Sequence, residues 1–247
     1  MAPLSQPSVQ NLLLANIPET EFESLRPHLE WVDLHMHDKL VRSNELIEHA
    51  YFPTAGICSI IAVTSGGVKI ETGLIGKEGF VGAAIVLLVD RAPYDTVVQA
   101  AGRALRMSRA NLLAVVDSST VLHSVLMRFI HLFTIQTAQT ALANGRCTVD
   151  ERLARWLLMC HDRVETAEFP ITHEFLSVML AVRRSSVTEA LHVLESRRLI
   201  QSRRGSVKIL NRPELEQAAG GAYGVPESEY ERLISPLPRH ESPEHKA

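Results

Sequence analysis

Residues 171–210 constrain the fold of this chain more than any other segment, and they read ITHEFLSVMLAVRRSSVTEALHVLESRRLIQSRRGSVKIL. Val187, Leu191 and Leu194 are spaced four and three residues apart, which places them on one face of a helix. Basic and hydroxyl side chains occupy the other face, with arginines at both ends of the helix. One face of this helix is therefore predicted to pack, and the other to contact a ligand.

The flanking residues predict a complete supersecondary unit around that helix. Thr172 is a candidate N-cap for a shorter preceding helix, with Glu174 in its first turn, where the helix dipole favours negative charge. Gly205 lies where a small hairpin would turn. Two helices joined by a turn and followed by a hairpin are the elements of a winged helix-turn-helix.

The exposed face of this unit predicts contacts with double-stranded DNA. Arg184 can bind guanine or phosphate with both guanidinium nitrogens, and short hydroxyl side chains can bind phosphates or base edges. Arginines beyond the helix supply attraction to the DNA backbone. A solvated helix with ordinary charges is the alternative interpretation. The candidate DNA-binding residues are Thr172, Arg183, Arg184, Ser185, Ser186, Thr188, Glu189, His192, Arg203 and Arg204.

The charge distribution supports this prediction, although the whole chain carries a net charge of −3. Residues 146–212 hold 12 lysines and arginines against 8 acidic residues, whereas residues 213–247 hold 3 against 7. A polyanion is therefore expected to dock on the late basic segment. The acidic tail, rich in Pro, Gly, Glu and Ser, is expected to be flexible, with little packed structure beyond a short piece near EYERLI.

The N-terminal part reads as strands with glycine turns. The run GICSIIAVTSGGVKIETGLI predicts a hairpin that turns at residues 65–67. Glycines then recur every third residue from Gly73 to Gly82, which predicts a tight, turning backbone. Short strands of this kind favour a barrel or roll. The expected class is α+β, with a β-roll, a long helix and a C-terminal winged helix-turn-helix.

Residues 119–145 predict that long helix, with an apolar stripe wider than one roll can cover. Such a helix can pack on its own domain and on a twin helix at once, which predicts a homodimer. A plain core helix is the alternative. The candidate interface residues are Val121, Val125, Phe129, Leu132 and Gln136.

These features together resemble the Crp–Fnr superfamily of bacterial transcription regulators. The resemblance covers about residues 10–212, through the glycine-rich GLIGKEGFVG, the long helix and the helix-turn-helix. It implies a double-stranded β-roll of the cyclic-nucleotide-binding type, a dimerisation helix and a DNA-binding domain. The expected domains are residues 1–118, 119–145 and 146–212, followed by the tail 213–247.

The chain departs from the family's nucleotide-binding pattern. Family members carry a glutamate directly after the glycine turn and, further on, an arginine that holds the phosphate, whereas this chain has Ala83 after Gly82 and Tyr94-Asp95 near the arginine position. The resemblance therefore predicts that cyclic AMP is not held in the usual way and leaves the effector unknown. The candidate pocket residues are Gly73, Gly79, Gly82, Ala83, Arg91, Tyr94 and Asp95.

The recognition helix departs as well. Where many members carry a glutamate and an arginine, this chain has Ser185 and Glu189, which predicts a different DNA half-site.

The sequence predicts no cofactor or metal. The first of three cysteines is Cys58, so the N-terminal cysteine cluster of the iron–sulfur branch is missing. His35, His37 and Asp33 would share one face of a strand and form a possible metal site, but a solvated strand is favoured. Cys147, at the junction before the DNA-binding domain, is a candidate redox sensor, with an inert cysteine as the favoured alternative.

No catalytic motif stands out, so we expect no enzyme activity. No apolar run approaches a membrane span, no signal peptide is read, and unpaired cysteines fit a reducing cytoplasm, so a cytoplasmic protein is expected. The predicted function is a dimeric, sequence-specific DNA-binding regulator acting on a pseudo-palindromic site, with RNA polymerase as a further candidate partner. The alternative is a ligand-, metal- or redox-sensing protein whose C-terminal domain binds a protein partner.

Overall fold

The computed structural model describes residues 4–164, 166–203 and 205–234. Two short helices open the chain, α1 (Leu12–Asn16) and α2 (Glu19–Leu25), with single 3-10 turns at Gln6–Ser8 and Arg26–His28. Asn11 caps α1 through its side-chain oxygen, and its amide nitrogen donates to the backbone oxygens of Pro53 and Gly79, each at 2.8 Å. The first helix is thereby attached to the sheet behind it.

A five-stranded antiparallel sheet forms the N-terminal roll. Its strands are β1 (Glu30–Leu34), β2 (Lys39–Val41), β3 (His49–Val63), β4 (Lys69–Ile75) and β5 (Tyr94–Ser108). The order is β1-β5-β3-β4, and β2 also pairs with β5. β3 and β4 form the predicted hairpin. Gly73 lies inside β4, so the expectation of a turning backbone at that glycine is wrong, whereas Gly82 has a positive φ of 100°.

The pairing register of the two longest strands, β3 and β5, shifts near Ala55 and Gly56. Gly56 has a positive φ of 90°, and a Cβ on Gly102 would lie 2.1 Å from the backbone oxygen of Ala55. At these register shifts the backbones of β3 and β5 lie too close together for a side chain at Gly102, so only glycine fits there. Both strands supply buried residues to two clusters, with Phe52 and Leu105 in one and Ile57 and Ala100 in the other.

Three helices close the roll and lead away from it: α3 (Ala83–Val86), α4 (Arg109–Ser118) and α5 (Thr120–Arg146). Ser119 caps α5, since its hydroxyl accepts a 3.0 Å hydrogen bond from the backbone N–H of Leu122. Phe129 of α5 packs on Phe80 with ring centroids 5.4 Å apart, and Phe80 stacks on Phe52 at 5.7 Å. α5 therefore forms one wall of the N-terminal core.

The C-terminal unit has the predicted helix and hairpin order. It comprises α6 (Val149–His161), β6 (Glu168–Pro170), α7 (His173–Met179), α8 (Arg184–Ser196), β7 (Ile200–Arg203) and β8 (Ser206–Ile209). Thr148 and Glu151 form a reciprocal capping box at the start of α6. The predicted hairpin is the pair β7–β8, and β6 adds a third strand to it. The α+β class predicted from the sequence is confirmed.

The segment after residue 212 packs more than the predicted flexible tail, which was expected to have only a short packed piece near EYERLI. Residues up to 234 form α9 (Arg212–Ala218) and α10 (Val225–Leu233), and α10 packs along α5. Leu215, Ala219 and Tyr230 are buried, so this acidic segment has enough apolar side chains at helical spacing to pack. Residues 235–247 lie outside the described part of the chain.

Candidate nucleic-acid interface

Helices α7 and α8 form the helix-turn-helix. The Thr172 hydroxyl accepts a hydrogen bond of 3.2 Å from the backbone N–H of Phe175, so the predicted N-cap is present. Val187, Leu191 and Leu194 of α8 are buried, as their spacing predicted. The two helices are joined through Ala181, which has a positive φ of 48°, an uncommon conformation for a residue with a side chain. Packing of the apolar faces turns the opposite face of α8 outward.

That outward face carries most of the predicted contact residues. Arg184 is the first residue of α8, and its side chain is 64% exposed. Its guanidinium nitrogen lies 3.0 Å from a carboxylate oxygen of Glu174, which holds the arginine at the N-terminal end of the helix. The other exposed residues on this face are Arg183, Ser185, Glu189 and His192. These exposed side chains are polar or charged.

Two of the predicted DNA-binding residues are partly buried or hydrogen-bonded within the protein. Ser186 is half-buried. Thr188 donates a 3.1 Å hydrogen bond to the backbone oxygen of Arg184, and its hydroxyl lies 3.3 Å from Nδ1 of His173. His173 was not among the predicted contacts, although its place directly after the N-cap Thr172 put it beside the recognition helix. Glu174, predicted only as a first-turn acid, also orients the recognition arginine.

The wing contributes a separate basic surface. Arg203 is exposed at the end of β7, and Gly205 turns the hairpin with a positive φ of 82°. Ser206 donates a 2.7 Å hydrogen bond to Glu168, which ties the wing to β6. Arg204 lies outside the described residues, so its place in this surface stays a prediction.

The structure does not bring the predicted effector-pocket residues together. A Cβ on Gly79 would lie 2.1 Å from the ring of Phe129, and a Cβ on Gly73 would lie 2.7 Å from Phe133 and Gln136. Gly82 packs instead against the backbone of His49 and Ala50. Side chains of α5 therefore fill the space over the glycine loop, and the expectation of one pocket there is wrong.

The remaining pocket candidates lie apart from the glycine loop. Arg91 is exposed and donates to the backbone oxygen of Asn44, whereas Tyr94 and Ala83 are partly buried against the core. Asp95 accepts a 2.7 Å hydrogen bond from Lys39 and a 2.9 Å hydrogen bond from the backbone N–H of Ser43. Burial alone would raise the pKa of Asp95, but these hydrogen bonds and the lysine charges lower it below its usual value.

The predicted dimer stripe on α5 also needs correction. Phe129, Leu132 and Gln136 are buried within the chain. The Gln136 amide oxygen accepts a 2.6 Å hydrogen bond from the backbone N–H of Leu74, and its nitrogen donates to the oxygen of the same residue. These side chains face the roll of their own chain, because the apolar core of the roll is the nearest surface on which they can be buried. Val121 remains exposed and Val125 partly so.

The opposite face of α5 is the one left open. Met127, Ala138 and Leu142 are exposed there, and His131 lies between them on the same side. None of these four residues belongs to the interface set predicted from the sequence. They lie on the side of α5 that the roll leaves uncovered.

Buried polar contacts join the winged unit to the roll. Arg163 and Glu78 form an ion pair of 2.8 Å, with both side chains less than a tenth exposed. Trp156 of α6 donates a 2.8 Å hydrogen bond to Glu71 of β4. Burial raises the pKa of Glu71 to about 7, although Ser59, the hydrogen bond from Trp156 and the charges of Arg155 and Arg163 favour the ionised form. None of these residues was predicted as functional.

The helices after the wing add a second connection. The Arg212 guanidinium lies 2.7 Å from Asp162, and the Tyr223 hydroxyl donates to the same carboxylate at 2.8 Å. Tyr230 of α10 donates a 2.9 Å hydrogen bond to the backbone oxygen of Glu78. α10 thus spans from the winged unit to the roll.

The candidate metal and redox residues are placed as follows. β1 ends at Leu34, so His35 and His37 lie in a turn rather than on the predicted strand. Asp33 lies 3.3 Å from Arg103 and His35 lies 3.3 Å from Asp38. Within the described ranges there is no group of three or more His, Cys, Asp or Glu side chains arranged to hold a metal ion. Cys147 is half-buried at the end of α5.

No single helix in the described part of the chain is long and apolar enough to cross a membrane. The adjacent helices α4 and α5 meet that test only as a pair, across a bend of 116°.

Comparison with known proteins identifies the C-terminal unit. Residues 151–218 match the Crp-like helix-turn-helix domain. No curated protein matches the chain.

Solved structures share the fold at low sequence identity. FixK2 from Bradyrhizobium japonicum is 15% identical with a TM-score of 0.65 over 77% of this chain and 96% of its own. A CRP-family transcriptional regulator from Thermus thermophilus is 16% identical, with a TM-score of 0.65 over 78% and 98%. The c-di-GMP-responsive global regulator CLP from Xanthomonas campestris is 16% identical, with a TM-score of 0.61 over 78% and 99%. The predicted resemblance to Crp–Fnr regulators is confirmed at the level of this domain and of the fold.

Proposed function

We propose that this chain, with its Crp-like helix-turn-helix domain at residues 151–218, is a DNA-binding transcription regulator of the Crp–Fnr type. The observation that carries the proposal is the exposed face of α8. Val187, Leu191 and Leu194 are buried on its packed side, while Arg183, Arg184 and Ser185 are exposed at the N-terminal end of the helix proposed to enter a major groove.

Base reading is assigned to Arg184 in this proposal. Its guanidinium is oriented by Glu174 and remains mostly exposed, so a guanine can replace part of the carboxylate contact without unfolding the helix. Arg203 and the wing contact phosphates, which position the domain without reading sequence. Thr172, at the start of α7, contacts the DNA backbone in this proposal. Ser185, Glu189 and His192 lie along the major groove.

The proposed regulator acts as a homodimer, but through a different face of α5 than the sequence predicted. Met127, Ala138 and Leu142 lie on the open side, where small and apolar residues allow two helices to approach. Two winged units would then meet a pseudo-palindrome with half-sites about one helical turn apart. RNA polymerase is a further proposed partner.

Cyclic AMP is not the effector in this proposal. In this proposal Phe129, against Gly79, and Phe133, against Gly73 of β4, fill the space that a nucleotide would use, and Ala83 offers no hydrogen bond to a ribose. The boundaries 1–118, 119–145 and 146–212 are kept as functional divisions, while residues 213–234 are assigned to the connection between the winged unit and the roll.

The decisive experiment is selection of bound DNA from a random pool, followed by titration of the full chain on the selected site and on a scrambled version. We expect the selected site to bind at least tenfold more tightly, and both affinities to fall steeply as salt rises. Equal affinity for both DNAs would remove sequence-specific reading. Weak binding without a salt slope would favour a protein partner instead.

A further inference from the structure

A cleft of about 550 Å³ lies between the roll and helix α7. Ile61 and Val97 line it from the roll, and Phe175 and Val178 line it from α7. Its volume falls within the range of small-molecule sites, about 300–1,000 Å³, and such sites are common where two domains meet. The glycine loop does not contribute to it, so the cleft is separate from the filled nucleotide space.

One end of the cleft is charged. Asp95 has its carboxylate satisfied by Lys39 and by the backbone N–H of Ser43. Lys69 also borders the cleft, and its charge helps to lower the pKa of Asp95, yet it forms no ion pair with any residue the structure describes. Two lysines against one aspartate leave about one positive charge at this end. Glu174, at the edge of the cleft, is already paired with Arg184.

We propose that this cleft binds a small amphipathic anion. Its apolar body would lie between the strand residues and α7, and its single negative charge would be held by Lys69. A carboxylate or sulfonate on an aromatic or aliphatic body has this chemistry. The charge at Lys69 is complementary to one anion and not to a cation, and the apolar walls disfavour a fully polar ligand.

The position of the cleft gives binding a structural consequence. One wall belongs to the roll and the other to the helix-turn-helix, so a bound molecule contacts both only while they are docked. A ligand that binds one arrangement better than another increases its population. Occupancy is therefore expected to hold the winged unit against the roll.

The probe for the test is 1-anilinonaphthalene-8-sulfonate, compared with neutral N-phenyl-1-naphthylamine, which has the same ring system without the sulfonate. Fluorescence titration of the full chain should show one saturable sulfonate site per chain. The neutral compound should bind about fivefold more weakly, which is the effect expected of one partly screened charge pair. The titration contains no DNA, so its result is independent of the proposed function.

Variants on both walls and at the charged end locate the site. Lys69→Gln should weaken the sulfonate about fivefold and leave the neutral compound unchanged, whereas Lys208→Gln in the wing should change neither. Val178→Trp should weaken both compounds by filling the cleft from α7, with the exposed Val193→Trp as its matched control. Val97→Phe narrows the cleft from the roll and serves if Val178→Trp fails to fold.

The titrations distinguish binding in this cleft from binding elsewhere on the protein. Loss of binding in the two wall variants, with charge dependence at Lys69, would support the site. Equal affinity for the two compounds, or sulfonate binding that neither Lys69→Gln nor the wall variants change, would overturn the proposal.

Discussion

The indole nitrogen of Trp156 donates a 2.8 Å hydrogen bond to Glu71, and this contact joins the first helix of the winged unit to strand β4 of the roll. The Ser59 hydroxyl donates its hydrogen bond to Gln99, so the second carboxylate oxygen of Glu71 is buried without a well-formed hydrogen bond among the described residues, although Ser59 still favours the ionised form. A buried carboxyl in this state is more stable when protonated, because an ionised oxygen without a partner carries its full desolvation cost.

Stability is therefore expected to depend on pH through Glu71. Its pKa is raised from 4.5 to about 7 in the folded chain, so the folded state binds a proton that the unfolded state has lost between these values. The contribution is present below pH 4.5 and is lost as pH rises to about 7. It amounts to about 3 kcal/mol. Chemical unfolding at several pH values in this window measures it.

Glu71→Gln is the matched variant for this prediction. The glutamine keeps the acceptor for Trp156 and cannot ionise, so the pH dependence across this window should largely disappear. A wild-type chain whose unfolding free energy is as flat as that of the variant would contradict the assignment.

Arg163→Met should destabilise the chain strongly, because it leaves Glu78 buried without its counter-charge. Removing one partner of a buried pair costs about 3–5 kcal/mol. The double variant Glu78→Gln with Arg163→Met should lose clearly less, since no uncompensated charge remains. Thermal unfolding measures both. Arg232→Met, which removes an exposed arginine, is the control and should leave the midpoint unchanged.

Arg184→Ala should reduce affinity for the selected DNA site by about 1–3 kcal/mol and relax the preference at one base position in each half-site. Arg203→Ala should instead weaken binding to all sequences alike and lower the salt slope by about one unit. Binding titrations at two salt concentrations distinguish these effects. Arg26→Ala, at the far N-terminal end, should behave as wild type. If neither recognition-unit variant binds more weakly, the DNA surface lies elsewhere.

Leu142→Glu should shift the proposed dimer toward monomer, because it places a charge on the open face of α5. Leu142 is 53% exposed in the single chain, so the substitution should be tolerated by the fold. Leu210→Glu is the matched control, since Leu210 is 51% exposed but lies beyond the wing. Sedimentation equilibrium reports the mass. An unchanged dimer in the Leu142 variant would place the interface on another surface.

Cyclic AMP at millimolar concentration should give no binding heat in calorimetry. The ring of Phe129 occupies the position over Gly79, and opening that space would require the core contact with Phe80 to separate. A micromolar dissociation constant would show that α5 moves away from the roll.

Local sequence was sufficient to predict the cap and the buried helix face of the winged unit. Thr172 as a cap and the spacing of Val187, Leu191 and Leu194 depend on contacts within a few residues, and both predictions are confirmed. The same reasoning failed for α9, because an acidic, glycine-rich composition suggested little packed structure whereas Leu215 is buried. The short packed piece expected near EYERLI lies in α10, where Tyr230 is buried.

Periodicity determined that α5 is amphipathic, but only the tertiary structure decided which residues of its wide stripe face the roll. Phe129 lies against Gly79 and Gln136 against Gly73 of β4, whereas Val121 of the same stripe is 44% exposed. Helical spacing gives the direction in which each side chain points around the helix axis. It contains no information about where the neighbouring sheet lies. The ion pair between Arg163 and Glu78, 85 residues apart in number, likewise arises only when packing brings both charges out of water together. Sequence thus determined the elements and their polarity, and long-range packing decided which polar groups became buried and which surfaces stayed free.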